Sequence, residues 1–230
     1  CSTGAAICPI EVKKKIMHYF PNGGIFDAFG QTEMSPTTTC LLPEDSLRKT
    51  DSVGQPVLNV EVRVVDENMN DVPVGEIGEI VYRGPTVMKG YYKNPEATAE
   101  AFKGGWFHSG DLVRMDEEGF VYVVDRKKDM IISGGENIYP AEVEDILYEH
   151  PAVYECAVIG VPDAHWGETV KAFIVLKPGN TATEEEIINF CKSKLASYKK
   201  PKSVEFIDEL PRNASGKILK RTLREITANK

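Results

Sequence analysis

The clearest hydrophobic pattern lies in the middle of the chain. Apolar residues alternate with polar ones on both sides of the sequence D-E-E-G at residues 116–119. Period-two alternation around such a turn predicts a β-hairpin over residues 111–125. Four charged residues follow at 126–129 with no apolar residue among them. They cannot lie in a core, and they predict a surface crossing between two packed bodies.

The sequence after this crossing mixes short strands with helices. An apolar run at 130–132 precedes the turn S-G-G-E-N at 133–137, where two glycines permit a sharp bend. Thr183 and Glu186 have the spacing of a capping box and predict a helix start. The pattern also predicts helices at 140–150 and 217–226 and strands at 156–161, 170–176 and 203–207. These elements suffice for a small α+β domain.

The sequence before the hairpin begins with a helix and a strand and continues as antiparallel β structure. Amphipathic spacing predicts a helix at 9–20, and a short strand at 25–29 leads into a glycine. Residues 35–58 are predicted to be irregular loop. The remaining elements predicted are strands around 60–64 and 79–82 and a helix at 94–102. The prediction for the whole chain is an α+β fold in two parts, residues 1–127 and 128–230.

Composition excludes several classes of protein. Five scattered cysteines without C-x-x-C spacing indicate reduced thiols in a cytoplasmic protein. Four histidines without metal-ligand spacing argue against a zinc site. The longest apolar runs are a few residues, so no membrane span is predicted.

Charge is distributed unevenly along the chain. The formal net charge is −8, yet residues 190–230 hold eleven lysines and arginines against four aspartates and glutamates. This basic segment is either a solvated surface or a region that attracts a polyanion. It lacks interleaved aromatic residues, so nucleic acid is not predicted as a partner.

Several motifs in a fixed order resemble one known family. They are F-G-Q-T-E at 29–33, G-W-F-H-S-G-D at 105–111, G-F-V-Y-V-V-D-R-K-K-D at 119–129, S-G-G-E-N-I-Y-P at 133–140 and P-R-N-A-S-G-K at 211–217. Together they are similar to the adenylate-forming superfamily, in particular its acyl-CoA synthetase branch. The resemblance implies that residues 1–127 end a large N-terminal domain with an antiparallel, barrel-like subdomain. Residues 128–230 would form the small, mobile C-terminal domain of the family.

The resemblance also implies that the chain is the C-terminal portion of a longer protein. The family's phosphate loop, rich in serine, threonine and glycine, precedes the F-G-Q-T-E position, and nothing in this chain matches it. We therefore expect these residues alone to have little or no ligase activity.

The segment around F-G-Q-T-E carries the first group of candidate residues. Spacing alone favours a plain loop after a strand. The resemblance instead implies that Phe29 lies against adenine, Thr32 meets the α-phosphate of ATP and Glu33 helps to hold Mg²⁺. Asp27 and Gly30 are assigned to the same nucleotide site, Gly30 because a glycine lets backbone come close to the ligand.

Asp111 and Arg126 complete the predicted nucleotide site. By default Asp111 would be a turn or capping aspartate. In the family this carboxylate accepts both ribose hydroxyls, and the arginine at the position of Arg126 reaches the same side. Lys128 stands where the family has its hinge.

Lys217 is the predicted catalytic cation. It is not a P-loop lysine, because that motif needs Gly at position 211 and Ser or Thr at 218, where this chain has Pro211 and Ile218. The resemblance implies that Lys217 bridges the substrate carboxylate and the α-phosphate. Two anions must approach there, and a mobile ammonium stabilises the developing charge.

Three residues are assigned to coenzyme A. Gly134 and Gly135 would let the pantetheine arm run against backbone, and Trp166 resembles a position that borders the cofactor. For Trp166, a half-buried packing role remains an equal alternative.

The resulting prediction is an ATP-dependent carboxylate–CoA ligase. It would use ATP, Mg²⁺ and coenzyme A. Its substrate would be a carboxylic acid, and the resemblance to fatty-acyl-CoA synthetases indicates a fatty acid. The alternatives are an adenylation domain that loads a carrier protein, a luciferase-like relative, and a fragment that binds nucleotide or CoA without catalysis. A homo-oligomer is left open.

Overall fold

The computed structural model describes residues 1–4, 8, 10–214 and 216–228. The chain divides into two compact units, Cys1–Val124 and Asp125–Lys230. Strands and helices occur in both, so the predicted α+β class is confirmed. Among the described residues, no helix combines the length and the apolar character needed to cross a membrane.

The first sheet of unit one contains four strands. They are β1 (Ser2–Gly4), β2 (Phe26–Gly30), β3 (Thr37–Leu41) and β4 (Gln55–Pro56), in that order, with helix α1 (Ile10–Tyr19) between β1 and β2. Strands β1 and β2 are parallel, and the other pairs are antiparallel. The predicted start of α1 at Pro9 lies outside the described residues.

Strand β3 corrects the prediction of an irregular loop at 35–58. Its residues Thr38 and Thr39 are polar yet fully buried. Their hydroxyls donate to the backbone carbonyls of Phe29, at 3.0 Å, and Val53, at 2.7 Å. A buried hydroxyl costs little when it is hydrogen-bonded, so a threonine run can form an interior strand.

The second sheet of unit one is antiparallel. Its strands are β5 (Glu61–Val65), β6 (Gly78–Arg83), β7 (Phe107–Met115) and β8 (Val121–Arg126), in that order. The hairpin predicted around residues 116–119 is present as β7 and β8. Asn94 caps helix α2 (Pro95–Ala101) by accepting the N–H of Ala97 at 3.1 Å, as its sequence predicts. A core that includes Ile80, Tyr82, Phe107 and Val113 packs on this sheet.

Unit two contains the third sheet and three helices. The strands are β9 (Ile131–Ser133), β10 (Glu136–Ile138), β11 (Val153–Asp163), β12 (Gly167–Leu176) and β13 (Ser203–Phe206), and the helices are α3 (Pro140–Tyr148), α4 (Glu184–Lys192) and α5 (Lys220–Ala228). The sheet order is β10-β9-β12-β11, and β13 pairs in parallel with β12. Strand β10 was not predicted, and the last helix begins at Lys220 rather than at residue 217.

The central strands of unit two are buried on both faces. Val158 of β11 belongs to a core with residues of α3 and α4, whereas its neighbour Ile159 belongs to a core with Leu223 of α5. Successive side chains of a strand point to opposite faces, so helices must cover both. This explains the nearly continuous apolar run in β11.

Candidate functional site

Strand β2 delivers Phe29 and Gly30 to the F-G-Q-T-E segment, where the chain turns back into β3. The N–H of Gln31 donates to the carbonyl of Pro36 at 2.8 Å. A Cβ on Gly30 would lie 1.9 Å from that same carbonyl oxygen. The chain's own backbone therefore requires Gly30, a reason different from the approach of a ligand that the sequence suggested.

Thr32 and Glu33 lie in a single 3₁₀ turn, Thr32–Met34. Thr32 is exposed and Glu33 is partly buried. The hydroxyl of Tyr91 donates to Oε1 of Glu33 at 3.1 Å, and the N–H of Met88 donates to the Glu33 carbonyl at 2.7 Å. Sequence reasoning missed Tyr91, because nothing in the spacing of the chain connects it to Glu33.

Asp27 forms an ion pair with Lys13 of helix α1. Lys13 is 1% exposed, and its ammonium also donates to the carbonyl of Thr50 at 3.1 Å. Burial and then the charge of Asp27 raise the pKa of Cys40. The Asp27 carboxylate thus has an internal cation, whereas the sequence assigned it to the nucleotide.

Asp111 is the last of the β7 residues in an irregularity of the β6–β7 pairing, and it is only 4% exposed. The Ser109 hydroxyl bridges the strands there: it donates to the carbonyl of Ile80 at 2.6 Å and accepts the N–H of Asp111 at 2.9 Å. Gly110 between them has φ of +72°. A bulge of this kind re-aims the next side chain.

Tyr82 connects Asp111 to the F-G-Q-T-E segment. Its ring is buried in the core, and its hydroxyl lies beside Thr38, whose own hydroxyl donates to the Phe29 carbonyl. Burial, together with the charge of Asp111, raises the pKa of Tyr82 well above its ordinary range. Unit one therefore brings Phe29 and Asp111 to the same region.

Nε2 of Gln31 is a buried polar atom without a hydrogen-bond partner among the described residues, and the buried Oη of Tyr82 has only Thr38 beside it. Unsatisfied buried polar atoms are uncommon in folded proteins and often face a ligand or water. The region is thus suited to a polar ligand.

The described residues contain no cluster of three or more His, Cys, Asp or Glu side chains that could hold a metal ion. Magnesium commonly binds through one or two carboxylates together with substrate phosphates. A single carboxylate at Glu33, held from one side by Tyr91, is compatible with that mode.

The charged crossing forms a turn between two anchored aspartates. Asp125 accepts the N–H of Ala141, in the first turn of α3, at 2.9 Å, and Asp129 pairs with Arg224 of α5 at 2.8 Å. Arg126 and Lys128 lie between them and are exposed. Both anchors belong to unit two.

Lys217 lies in an exposed loop before α5. Its N–H donates to Oδ1 of Asn213 and its carbonyl accepts the N–H of Asn213, both at 2.9 Å. Gly216 beside it has φ of +83°, which glycine adopts readily. Ser215 of the predicted S-G-K motif lies outside the described residues.

Gly134 and Gly135 form the turn between β9 and β10, and Trp166, just before β12, packs beside Gly134. A Cβ on Gly134 would lie 2.7 Å from the Trp166 ring, whereas a Cβ on Gly135 would meet nothing within 4 Å. Trp166 is 46% exposed, and its carbonyl accepts the Gly134 N–H at 2.8 Å. Gly134 therefore serves packing, and Gly135 leaves open space.

Family models match most of the chain. Residues 1–92 match the model of the AMP-binding enzyme, and residues 142–217 match that of the AMP-binding enzyme C-terminal domain.

Curated relatives align with nearly the whole chain. It is 49% identical over 222 residues to a feruloyl-CoA synthase of Amycolatopsis sp., which covers 96% of this chain and 45% of the relative. It is 47% identical over 226 residues to a long-chain-fatty-acid–CoA ligase of Bacillus subtilis. This alignment covers 98% of this chain and 40% of the relative. The chain thus spans less than half the length of these relatives.

A solved structure has the same fold. The o-succinylbenzoate coenzyme A synthetase of Bacillus subtilis, in complex with ATP and magnesium ion, matches with a TM-score of 0.84 and 39% identity. The match covers 96% of this chain and 45% of that one. With both family models and these relatives in agreement, the chain belongs to the adenylate-forming superfamily of AMP-binding enzymes.

Proposed function

We propose that the protein is an ATP-dependent carboxylate–CoA ligase that works through an acyl-adenylate. The observation that carries the proposal is the convergence of Phe29 and Asp111 around the buried Tyr82, with the unpartnered Nε2 of Gln31 in the same region. An aromatic face and a carboxylate are the groups that an adenine and a ribose require. The alignment with CoA ligases over most of the chain supports the same reaction.

In the first half-reaction, the substrate carboxylate attacks the α-phosphate of ATP and pyrophosphate leaves. Asp111 accepts the ribose hydroxyls, with Arg126 on the same side, and the Thr32 hydroxyl donates to the α-phosphate. Glu33 holds Mg²⁺, which supplies charge neutralisation at the phosphates when bound. The Lys217 ammonium stabilises the negative charge that develops between the carboxylate and the phosphate.

In the second half-reaction, the thiol of coenzyme A attacks the acyl-adenylate and AMP leaves. We assign Gly135 to the passage of the pantetheine arm, because a Cβ there would enter space that is open. Trp166 is half-exposed beside Gly134 and offers the cofactor an apolar border. The basic segment at 190–230 attracts the CoA phosphates.

We further propose that residues 128–230 are a mobile domain that presents Lys217 and Gly135 in successive steps. We assign the hinge to Lys128 from the family resemblance, and its exposed, charged side chain can stay solvated in both orientations of the domain. Residues 1–127 belong to the domain that binds the nucleotide.

A fatty acid is the substrate that we propose. Ferulate and o-succinylbenzoate are the rivals, because proteins named for those acids also align with nearly the whole chain. We also propose a cytoplasmic location, which five cysteines without disulfides support.

ATP–pyrophosphate exchange by the protein that contains this chain tests the proposal. We expect exchange that depends on a fatty acid, ferulate or o-succinylbenzoate, and release of acyl-CoA when free CoA is added. Exchange with one acid but no thioester with free CoA would favour carrier-protein loading. Nucleotide binding without exchange for any acid would favour a non-catalytic role.

A further inference from the structure

Glu79 is a buried carboxylate that connects strand β6 to the segment before Asp111. The residue is 6% exposed. Oε1 accepts the N–H of Gly110 at 3.0 Å, and Oε2 lies 3.1 Å from Nδ1 of His108. Glu79 therefore contacts His108 and Gly110, the two residues that flank Ser109.

His108 is held from both sides of its ring. Nδ1 faces the Glu79 carboxylate, and Nε2 lies 3.1 Å from the carbonyl oxygen of Lys103. Both partners are acceptors, so a ring nitrogen that carries a hydrogen donates to the partner it faces. These two contacts hold the ring in one orientation beside the Glu79 carboxylate.

The Glu79 carboxylate binds the Gly110 N–H at a point where β6 and β7 are not regularly paired. In the β6–β7 ladder, Glu79 pairs with Leu112 and Val81 pairs with His108, so the intervening β7 residues form a bulge without regular ladder bonds. Gly110 lies in this bulge at φ of +72°, and no atom lies within 4 Å of where its Cβ would be. The hydrogen bond from the Gly110 N–H to Glu79 therefore helps to set the direction of the chain into Asp111, together with the bond from the Asp111 N–H to Ser109.

We propose that Glu79, oriented by His108, is a positioning residue for Asp111. The carboxylate fixes the Gly110 peptide, and this peptide in turn aims the Asp111 side chain at the nucleotide ribose. The inference rests on the proposed function, in which Asp111 accepts the two ribose hydroxyls. It adds two residues that the sequence did not assign to the site: Glu79, which lies in none of the motifs, and His108, which lies in G-W-F-H-S-G-D.

The test compares the binding of ATP and of 2′,3′-dideoxy-ATP, which lacks both hydroxyls, by calorimetry in the presence of Mg²⁺. The protein that contains this chain should prefer ATP by about tenfold or more, because hydrogen bonds to a charged group contribute strongly. Glu79→Ala should reduce this preference to about threefold or less. Glu79→Gln should keep it within about twofold of the unsubstituted protein, because its amide oxygen still accepts the Gly110 N–H and its amide nitrogen takes the place of the carboxylate oxygen beside His108.

Asp116→Ala is the matched control. It removes a partly buried carboxylate and its Lys49 ion pair just beyond the other end of β7, and it should lower stability without changing the preference for ATP. If Glu79→Ala does not fold, Glu79→Asp shortens the side chain, keeps its charge and should also lose the preference.

The outcomes separate this inference from the proposed function. An unchanged preference in the Glu79 variants, with only a lower unfolding free energy, would show that Glu79 is structural and overturn the inference. Equal binding of both nucleotides by the unsubstituted protein would overturn the role of Asp111, and the positioning role with it.

Discussion

The hydroxyl of Tyr91 donates a hydrogen bond to Oε1 of Glu33 across 3.1 Å and 58 positions of sequence. Burial and then the neighbouring carboxylate raise the pKa of Tyr91, so its phenol remains a donor at neutral pH. The bond orients the carboxylate that we propose holds Mg²⁺ with the nucleotide. A metal-binding side chain that is already held in place, as Glu33 is, loses less conformational entropy when the ion binds.

We predict that Tyr91→Phe weakens the response to Mg²⁺ and leaves the fold intact. Loss of one orienting bond should raise the Mg²⁺ concentration for half-maximal pyrophosphate exchange by about three- to tenfold. Tyr92→Phe is the control, because Tyr92 is adjacent but 88% exposed. An identical Mg²⁺ dependence in the two variants would contradict the role of Tyr91.

Alanine substitutions at the two adjacent glycines should have different effects. Both have positive φ, +61° at Gly134 and +89° at Gly135, so each alanine should cost about 1 kcal/mol through backbone strain. At Gly134 the added Cβ also meets the Trp166 ring, which should add about 1–3 kcal/mol.

Urea unfolding followed by tryptophan fluorescence measures this difference. We expect a lower midpoint and a shifted Trp166 emission for Gly134→Ala. Gly135→Ala should instead slow thioester formation more than adenylation. Equal stability of the two variants would mean that Trp166 moves aside without cost.

The fold was predictable where a local signal was sufficient. The capping box of Thr183 and Glu186 is present, with the Thr183 N–H donating to Glu186 at 2.7 Å, because both partners lie within one turn. Strand β3 was not predictable in this way. Burial of Thr38 depends on the Phe29 carbonyl of a neighbouring strand, which only the folded topology supplies.

The same distinction applies to the candidate site. The motifs located Phe29, Glu33 and Asp111, because these residues stand in characteristic short segments. Glu79 and Tyr91 were not found. Their contacts join residues 31 and 58 positions apart, and no periodicity in the sequence encodes such a pairing.

Acid should destabilise unit one through a carboxylate pair at the β7–β8 turn. The Lys49 ammonium lies 2.6 Å from Asp116 and 2.7 Å from Glu118. Hydrogen bonds from Lys49 and Arg48 lower the pKa of Glu118. For Asp116, burial opposes the shift, but hydrogen bonds that include those from Lys49 and the Phe120 N–H lower its pKa below the ordinary value.

A carboxylate with a lowered folded-state pKa contributes stability above its unfolded pKa, near 4, and loses it as pH falls through the folded value. We therefore predict that the urea midpoint falls from about pH 5 downward, and that Lys49→Met makes this fall shallower. Lys89→Met controls for the loss of one positive charge. Parallel pH profiles for the two variants would exclude a contribution from this cluster.

Lys217→Ala should separate the two half-reactions. Its side chain is exposed in a loop that the backbone bonds between Lys217 and Asn213 maintain, so removal should leave the fold intact. In adenylation, a carboxylate and a phosphate, both anionic, must come together, and the ammonium offsets their repulsion most strongly in the transition state. Attack of a thiol on the adenylate has no such requirement for Lys217.

We therefore expect Lys217→Ala to slow pyrophosphate exchange by about 10² to 10³-fold, as for other single charge-stabilising groups. Thioester formation from supplied acyl-adenylate and CoA should stay within about threefold of the unsubstituted protein. Lys177→Ala removes one exposed positive charge of unit two that lies outside the basic segment, and it should affect neither step. Comparable losses in both half-reactions for Lys217→Ala would remove Lys217 from the adenylation step, because a group needed equally in both acts through binding or folding.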